Sequence, residues 1–401
     1  MKSHLVIICG ILYPHPSPTG LCAARYASLL KDKFDIEFIS LSSNGREETV
    51  IYDGCQTHTI ASKRLRLEFK LKGFLRKIIH LIGSAQLKFS IHGNLGWFRK
   101  AAFDKLVFIN EKKPIDALLT VCSPFPAHMA GADFKRHHPE VRFCAYTVDP
   151  FAASDRIIPF FRSFNDFVEL EKRVSTTADC MFLSEEAIES RPDVYGGLDN
   201  KLALPYLLPD NKEIEGGLFP KDAVHCVYAG SFYHDIRNPE YMLKVFSSLT
   251  KKKIILHLYC SGCEDIVNRY KTNPNIIVNG YVSQEELQKV YASCDILIGV
   301  GNAMNDFLPS KTYEYLALRR PVVFFNHKGF DNHVLAIYPH SFQISDETPV
   351  GEAVKRFEEF VSREKGKTIS KEELQSLYKK NTPAYIREIL LNGLKDNKNE
   401  K

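Results

Sequence analysis

The sequence is organised around residues 300–323, Val300-Gly-Asn-Ala-Met-Asn-Asp-Phe-Leu-Pro-Ser-Lys-Thr-Tyr-Glu-Tyr-Leu-Ala-Leu-Arg-Arg-Pro-Val-Val323. This stretch follows the apolar run Cys294–Gly299, which is typical of a buried parallel strand. A polar loop comes next, and a helical pattern begins after Pro309 and ends at Pro321. Val322–Phe325 then has the composition of another buried strand. The order of strand, loop, helix and strand predicts an α/β fold.

The start of the predicted helix carries groups that suit a phosphate. Ser310 and Lys311 bring a hydroxyl and an ammonium to a helix N-terminus, where backbone N–H groups are unpaired. Glu314 lies one turn further on, and its carboxylate can accept hydrogen bonds from two neighbouring hydroxyls such as those of ribose. Together these groups suggest a nucleoside diphosphate ligand. A serine-capped surface helix with Lys311 and Glu314 in solvent fits the same spacing.

The segment from Asn305 to Val323 resembles the donor-site signature of glycosyltransferase family 4, the retaining enzymes of the GT-B fold. That signature has two acidic positions, which Asp306 and Glu314 occupy here, and it ends in Pro-Val-Val. Members that assemble polysaccharides often carry the Pro-Ser-Lys variant found at residues 309–311. The resemblance extends over most of the chain. It implies an α/β fold of two Rossmann-like domains facing each other across a cleft, with a C-terminal helix that crosses back to the first domain.

The same resemblance implies roles for individual residues. The residues that it implies for catalysis are Asp306, Arg237, Lys311 and Asp149. Those that it implies for donor binding are Thr19, Gly20, Gly230, Ser231, Tyr281, Val282, Asn302, Leu308, Ser310 and Glu314. In this scheme Glu314 binds the ribose, and Asp306 with Asn302 contacts the donor sugar. The positive groups stabilise the leaving diphosphate. We therefore expect no metal and no cofactor beyond the nucleotide-sugar donor, for which a UDP-sugar is expected.

Loops at strand ends carry the candidates in the first half of the chain. Thr19 and Gly20 lie in the loop that follows the predicted strand Leu5–Cys9, where a purely structural turn is the alternative. Asp149 follows the predicted strand Val141–Val148 and is a candidate for acceptor binding or proton transfer, with a purely structural capping role as the alternative. For His128, a core histidine is favoured over a role in the site.

The second half begins with the predicted strand Val224–Phe232, which ends in a glycine turn. Arg237 follows that turn, and its planar guanidinium suits phosphate oxygens. The stretch 280–283 corresponds to the segment where the family holds the nucleobase with backbone groups. Ser283 and Glu286 also have the spacing of a capping box, so we expect the Ser283 side chain to be structural.

Length and composition indicate a globular protein with two domains. The chain has 401 residues, of which 44% are hydrophobic and 25% are charged. We expect an acceptor domain at 1–208, a linker at 209–222 and a donor domain at 223–382. Residues 383–401 are expected to form a C-terminal helix, Pro383–Leu394, that packs on the first domain, followed by a tail. The ten cysteines are scattered, with one CxxC at Cys260 and Cys263. Reduced, buried thiols in a cytoplasmic protein are therefore expected.

The net charge of +5 is concentrated in one place. Residues 63–80 hold seven Lys or Arg and one Glu, which gives +6 and leaves −1 for the remainder. Leu65–Leu71 alternates like a half-exposed strand or extended segment, and apolar residues of Phe74–Ile82 share one helical face. This basic segment fits peripheral contact with an anionic membrane, and a core-packed helix with a solvated basic side fits equally. No nucleic-acid motif accompanies it. No apolar run reaches the length of a membrane span.

The expected function is transfer of a hexosyl group from a nucleotide-sugar to a sugar or lipid-linked acceptor, with retention, in polysaccharide assembly at the inner face of the membrane. Two alternatives stay open. A nucleotide-sugar epimerase shares the fold and donor site but acts without an acceptor. A non-catalytic nucleotide-binding scaffold is expected to have lost Lys311 or Glu314, and both are present. A nicotinamide-dependent dehydrogenase is disfavoured because the GxGxxG fingerprint is missing.

Overall fold

The chain folds into two compact units in the computed structural model. The structure describes residues 2–71, 95–148, 150–152, 162–210, 216–251, 253–280, 282–303, 311–330 and 332–395. The first unit comprises Met1–Pro205 and Ala384–Lys401, and the second comprises Tyr206–Pro383. The chain thus passes from one unit to the other at 205/206, a few residues before the expected linker at 209–222, and returns at 383/384.

The first unit is built on a doubly wound sheet. The described strands are β1 (Ser3–Ile11), β2 (Phe34–Leu41), β3 (Glu48–Tyr52), β4 (Cys55–Ile60), β5 (Ala117–Cys122), β6 (Arg142–Thr147), β7 (Cys180–Leu183) and β8 (Lys201–Ala203). They lie in the order β3-β4-β2-β1-β5-β6-β7-β8, and among these strands only β3 is antiparallel to its neighbour. The order reverses between β1 and β5, which makes the carboxyl ends of these two strands the topological switch point.

Helices cover both faces of this sheet. They are α1 (Pro18–Leu30), α2 (Lys63–Lys70), α3 (Trp97–Lys112), α4 (Phe125–His137), α5 (Phe164–Thr177), α6 (Glu185–Ser190) and α7 (Pro192–Tyr195). Strands β1 and β5 are buried along almost their whole length, as expected for parallel strands packed on two sides. The hairpin of β3 and β4 is absent from the sequence prediction, although Asp53-Gly54 is a strong signal for a two-residue turn. Both residues have positive φ, 47° and 74°, as a type I′ turn requires.

The prediction of a strand or extended segment at Leu65–Leu71 was wrong, because Lys63–Lys70 is the helix α2. Backbone hydrogen bonds of 3.0 Å from Arg66 N to Ser62 O and from Leu71 N to Leu67 O have the helical spacing. The segment consists mainly of Lys, Arg, Leu and Glu, which favour helix. This helix propensity outweighs the alternation of leucine with charged residues, which suggested a strand. The predicted helical face at Phe74–Ile82 lies outside the described residues.

The last helix, α15 (Pro383–Leu394), begins and ends at the predicted residues and packs on the first unit. Arg387 Nε donates to Leu29 O at 2.9 Å, and Arg387 Nη2 binds Asp32 at 2.6 Å. Near the other end of the helix, Gly393 O accepts a hydrogen bond of 3.0 Å from Arg142 Nε. A Cβ on Gly393 would lie 2.3 Å from the Phe182 ring, so only glycine allows this close approach.

The second unit repeats the doubly wound pattern with a parallel sheet. Its described strands are β9 (Val224–Ser231), β10 (Ile254–Ser261), β11 (Ile276–Val278), β12 (Ile296–Val300), β13 (Val322–Asn326) and β14 (Ser341–Ser345), in the order β11-β10-β9-β12-β13-β14. Its helices are α8 (Glu240–Ser247), α9 (Glu264–Val267), α10 (Gln284–Ser293), α11 (Lys311–Ala317), α12 (His333–Ala336), α13 (Val350–Glu364) and α14 (Lys371–Leu377). This is the strand order of a dinucleotide-binding fold, and the switch point lies between β9 and β12. The predicted α/β architecture of two Rossmann-like domains is confirmed.

Candidate active site

The switch point of the second unit brings the main sequence candidates to one edge of the sheet. Strand β9 ends at Ser231 and strand β12 ends at Val300, and both are buried strands that run in the same direction. Helix α11 begins at Lys311, after the loop that follows β12. In open α/β sheets a ligand binds outside the carboxyl ends of the strands at this point. The residues on these ends therefore define the candidate site.

Lys311 reaches from α11 to the end of β9. Its Nζ donates a hydrogen bond to the carbonyl oxygen of Ala229. The next residue, Gly230, has a φ of 156°, and a Cβ built on it would lie 2.9 Å from Lys311 Nζ. A side chain at position 230 would therefore displace the ammonium group. Glycine is needed here for both the backbone conformation and the space.

The pKa of the Lys311 ammonium is lower than that of an ordinary lysine. Burial lowers its pKa to about 8, the nearby charge of Glu314 raises it, and the charge of Arg237 lowers it further. Glu314 lies one turn after Lys311 on α11 and is half-buried. A bound diphosphate would favour the charged form of Lys311 because opposite charges at close range stabilise each other.

Arg237 is held by the first residues of the loop after β12. Its Nη2 and Nε donate to Asn302 Oδ1 at 2.8 Å and 3.2 Å. The backbone also joins the two segments, because Ala303 N donates to Ile236 O at 2.6 Å. Arg237 and Lys311 thus both contact uncharged protein oxygens, and an anion could replace those contacts with stronger charge-assisted ones.

Tyr228 is a member of this edge that the sequence analysis missed. Its side chain is 3% exposed, its ring stacks on Phe232 at 4.3 Å between centroids, and burial raises the pKa of the phenol. The hydroxyl lies 3.3 Å from the Cβ position of Gly230, beside the ammonium of Lys311. The sequence signal that could have identified it is a tyrosine two residues before the glycine at the end of a buried strand. Ser231 contacts the neighbouring strand, with its Oγ 3.1 Å from Ser261 Oγ.

The remaining sequence candidates of the second unit lie before helix α10 or outside the described residues. Val282 is part-exposed directly before α10. Ser283 is the N-cap of α10: its Oγ accepts from Glu286 N at 3.2 Å and its N donates to Glu286 Oε2 at 2.9 Å. The predicted structural role of Ser283 is therefore confirmed. The candidates that lie outside the described residues are Asp149, Tyr281, Asp306, Leu308 and Ser310.

Thr19 and Gly20 were expected in the loop after the first strand, but they lie in the first turn of α1, because the helix is capped by Ser17 and begins at Pro18. They are at the switch point of the first unit. Thr19 Oγ1 donates to Ser123 O, directly after β5, at 2.7 Å. A Cβ on Gly20 would lie 1.9 Å from Ile11 O, so the turn from β1 into α1 excludes any side chain there. Ser17 caps α1 by accepting from Gly20 N at 3.2 Å. These contacts give both candidates a structural role, and the remaining hydroxyl lone pairs of Thr19 can still accept from a ligand.

His128 is a core histidine, as predicted. It is fully buried, its Nδ1 lies 2.7 Å from Thr120 Oγ1, and burial lowers its pKa to about 3. The sequence analysis missed Glu171, a buried carboxylate that accepts from Phe151 N at 2.6 Å and Ala152 N at 3.1 Å. It therefore fixes the backbone just beyond Asp149 and Pro150.

Two observations on the described residues concern metal binding and membrane insertion. Among the residues that the structure describes, no group of three or more His, Cys, Asp or Glu side chains is placed to hold a metal ion. In the described ranges, no helix combines the length and apolarity needed to cross a membrane.

Two Rossmann-like units, with cationic groups at the switch point of the second, are the architecture of GT-B glycosyltransferases. Solved structures with this architecture match nearly the whole chain at low sequence identity. Sucrose-phosphate synthase from Thermosynechococcus elongatus is 11% identical with a TM-score of 0.64, covering 98% of this chain and 93% of that chain. The UDP-forming α,α-trehalose-phosphate synthase from Burkholderia vietnamiensis is 12% identical with a TM-score of 0.62, covering 98% and 99%. Anabaena HepE in complex with UDP and glucose is 10% identical with a TM-score of 0.61, covering 98% of this chain and 99% of that chain.

Part of the second unit is also similar to a known family in sequence. Residues 223–344 match the family model described as glycosyl transferases group 1. This range runs from the start of β9 into β14 and contains Gly230, Arg237, Lys311 and Glu314. The chain therefore has the fold of these GT-B structures, and part of its second unit is similar to group 1 glycosyl transferases. No curated protein matches the sequence.

Proposed function

We propose that the protein transfers a hexosyl group from a nucleotide-diphosphate sugar to an acceptor hydroxyl with retention of anomeric configuration. The observation that carries this proposal is the placement of Lys311 and Arg237 at the switch point, beside a glycine that lets the backbone approach a ligand. Two cationic donors at the carboxyl edge of a parallel sheet suit a diphosphate leaving group. A UDP-sugar is the favoured donor, because HepE binds UDP and the Burkholderia enzyme is UDP-forming.

In the proposed reaction the bond between the anomeric carbon and the phosphate oxygen breaks while a bond to the acceptor oxygen forms on the same face. The acceptor proton passes to the leaving phosphate. Lys311 and Arg237 exchange Ala229 O and Asn302 Oδ1 for phosphate oxygens and stabilise the charge that develops there. Glu314 binds the ribose hydroxyls. Asp306 and Asp149, outside the described residues, are proposed to contact the donor sugar and the acceptor.

The acceptor is proposed to be a sugar or lipid-linked sugar in polysaccharide assembly, at the inner face of a membrane. Helix α2 supports this location. Lys63, Arg66 and Lys70 are exposed on it, and Leu67 between them is 44% exposed. An apolar side chain flanked by cationic ones suits the interface of an anionic bilayer.

The test is a proton NMR assay of UDP-glucose, UDP-galactose and UDP-N-acetylglucosamine with alkyl glycosides as acceptors. We expect UDP release and a new glycoside with the α-configuration of the donor. A β-linked product would contradict retention. Conversion of one UDP-sugar into its epimer without acceptor would favour the epimerase instead. Lys311→Met should abolish turnover, and the surface variant Lys289→Met should not.

A further inference from the structure

One buried hydroxyl at the end of β9 has no role in the reaction proposed above. Tyr228 is buried, and its ring stacks on that of Phe232 with 4.3 Å between centroids and 10° between planes. Phe232 is also buried, and its N donates to Ser261 O on the neighbouring strand at 2.8 Å. Because the two rings are packed together and tied to the sheet, the Tyr228 hydroxyl occupies a fixed position at the carboxyl edge.

This hydroxyl accepts a hydrogen bond from the guanidinium of Arg237. The direction of the bond is certain, because a guanidinium can only donate. The hydrogen of the phenol points to Ser231 O at 3.4 Å, which is long for a hydroxyl donor. Burial raises the pKa of the phenol and the nearby charge of Arg237 lowers it. Tyr228 is therefore a neutral acceptor beside a permanent cation.

Arg237 returns to the end of β9 because the loop after this strand is closed by its own backbone. Tyr233 N donates to Arg237 O at 3.1 Å, and Arg237 N donates to Tyr233 O at 2.9 Å. The loop at residues 233–237 directly follows Phe232, on which the Tyr228 ring stacks. The strand end, the pair of rings and the loop thus place the guanidinium together.

The two side chains that hold Arg237 differ in their surroundings. Asn302 belongs to the loop after β12, and in the proposed reaction phosphate oxygens replace its Oδ1. Tyr228 belongs to the buried part of β9. A guanidinium has five N–H groups, so Arg237 can keep its bond to Tyr228 while others of its N–H groups bind phosphate. Tyr228 is thus the contact that can persist when a ligand binds.

An acceptor is needed at this point because the site contains two cations. Burial lowers the pKa of Lys311, and the positive charge of Arg237 lowers it further, so the two groups repel each other. Lys311 Nζ and the Tyr228 hydroxyl both lie near the Cβ position of Gly230, at 2.9 Å and 3.3 Å. The phenol oxygen therefore lies near one cation and accepts a hydrogen bond from the other. Its partial negative charge offsets the repulsion that would turn Arg237 away.

We propose that Tyr228 is a positioning residue, whose hydroxyl holds the guanidinium of Arg237 beside Lys311 and directs it at the diphosphate. Arg237 is then arranged for the ligand before the ligand binds, which lowers the cost of binding. The proposal rests on the proposed function, because its ligand is the diphosphate of a nucleotide-sugar.

The test is a double-mutant cycle of Tyr228→Phe and Arg237→Met. Tyr228→Phe removes only the hydroxyl and keeps the ring that stacks on Phe232. The matched control is Tyr338→Phe, which removes a buried hydroxyl that donates to Arg320 O at 3.0 Å, at the amino edge of the same sheet. The probe is UDP, and its affinity is measured by ³¹P NMR titration, which extends to millimolar dissociation constants.

Tyr228→Phe should weaken UDP binding about five- to tenfold in the wild type, the effect of one lost hydrogen bond. In the Arg237→Met background the same change should alter the affinity less than about twofold, because Tyr228 acts through Arg237. Tyr338→Phe should leave the UDP affinity unchanged in both backgrounds.

A loss of equal size in both backgrounds would mean that the hydroxyl supports the structure in general, and it would overturn the positioning role. Unchanged affinity of Tyr228→Phe in the wild type would also overturn it, while weaker binding by Arg237→Met alone would leave the proposed function in place. A wild type that binds no UDP would overturn the proposed function and the role of Tyr228 together.

Discussion

Replacing Lys311 with methionine is expected to stabilise the second unit while it weakens donor binding. Burial holds the pKa of Lys311 at about 8 against an ordinary value of 10.5. Keeping the ammonium charged at pH 7 therefore costs folding about 3 kcal/mol. Methionine has a similar length and no charge. Loss of the hydrogen bond to Ala229 O removes about 1 kcal/mol of stability. The net increase in the free energy of unfolding is therefore about 2 kcal/mol.

The assay is thermal unfolding of the wild type, Lys311→Met and the exposed control Lys289→Met between pH 7 and pH 10. A gain of 2 kcal/mol corresponds to a rise in Tm of about 4–8 °C for a unit of this size. The unfolded chain binds a proton at Lys311 between pH 8 and pH 10.5 and the folded chain does not, so wild-type stability rises through this window. The advantage of Lys311→Met should thus be complete below pH 8 and shrink as the pH rises.

Donor binding should respond in the opposite direction. Loss of one charge-assisted contact to phosphate is expected to weaken UDP binding about 10- to 100-fold at pH 7. In the wild type, UDP affinity should fall about tenfold between pH 7 and pH 9, because the charged fraction of Lys311 falls by about that factor around a pKa of about 8. A Lys311→Met protein that is less stable than the wild type at pH 7, or whose advantage does not change with pH, would refute this reasoning.

Two further predictions concern the phosphate site and helix α2. Gly230→Ala should weaken UDP binding at least tenfold, because its Cβ would lie 2.9 Å from Lys311 Nζ and displace the ammonium. It should also lower stability, because an L side chain is strained at a φ of 156°. Titration with UDP checks the affinity, and Gly351→Ala is the control because a Cβ there meets no described atom within 4 Å. Unchanged affinity would contradict the prediction. Neutralising Lys63 and Lys70 should reduce cosedimentation with vesicles that contain anionic phosphatidylglycerol, by about 1 kcal/mol of binding for each charge. Arg66 is left in place because it forms an ion pair with Glu47. Equal sedimentation of variant and wild type would contradict the proposed membrane contact.

The sequence predicts the framework of the site because that framework depends on local patterns. Buried apolar strands followed by glycine or proline loops identify the carboxyl edge at Gly230 and at the start of α11. Pro383–Leu394 is observed at the bounds expected from the resemblance to GT-B enzymes, in which a last helix crosses back to the first domain. At Leu65–Leu71 the same reasoning fails, because the leucine spacing suits a strand while the residue types favour the helix α2.

The contacts that complete the site depend on tertiary structure, so no local pattern contains them. The hydrogen bond from Lys311 Nζ to Ala229 O joins residues from α11 and β9. The pair of Arg237 and Asn302 depends likewise on two loops that meet at the switch point.

The central claim is that the carboxyl edge of the second unit binds a nucleoside diphosphate through Lys311. The most direct measurement is the shift in Tm of the wild type and Lys311→Met with UDP, GDP, ADP and NAD. The account predicts stabilisation of the wild type by one nucleoside diphosphate, UDP being favoured, and a clearly smaller shift for Lys311→Met. Stabilisation by NAD alone, by none of the four, or by the same amount in both proteins would contradict it.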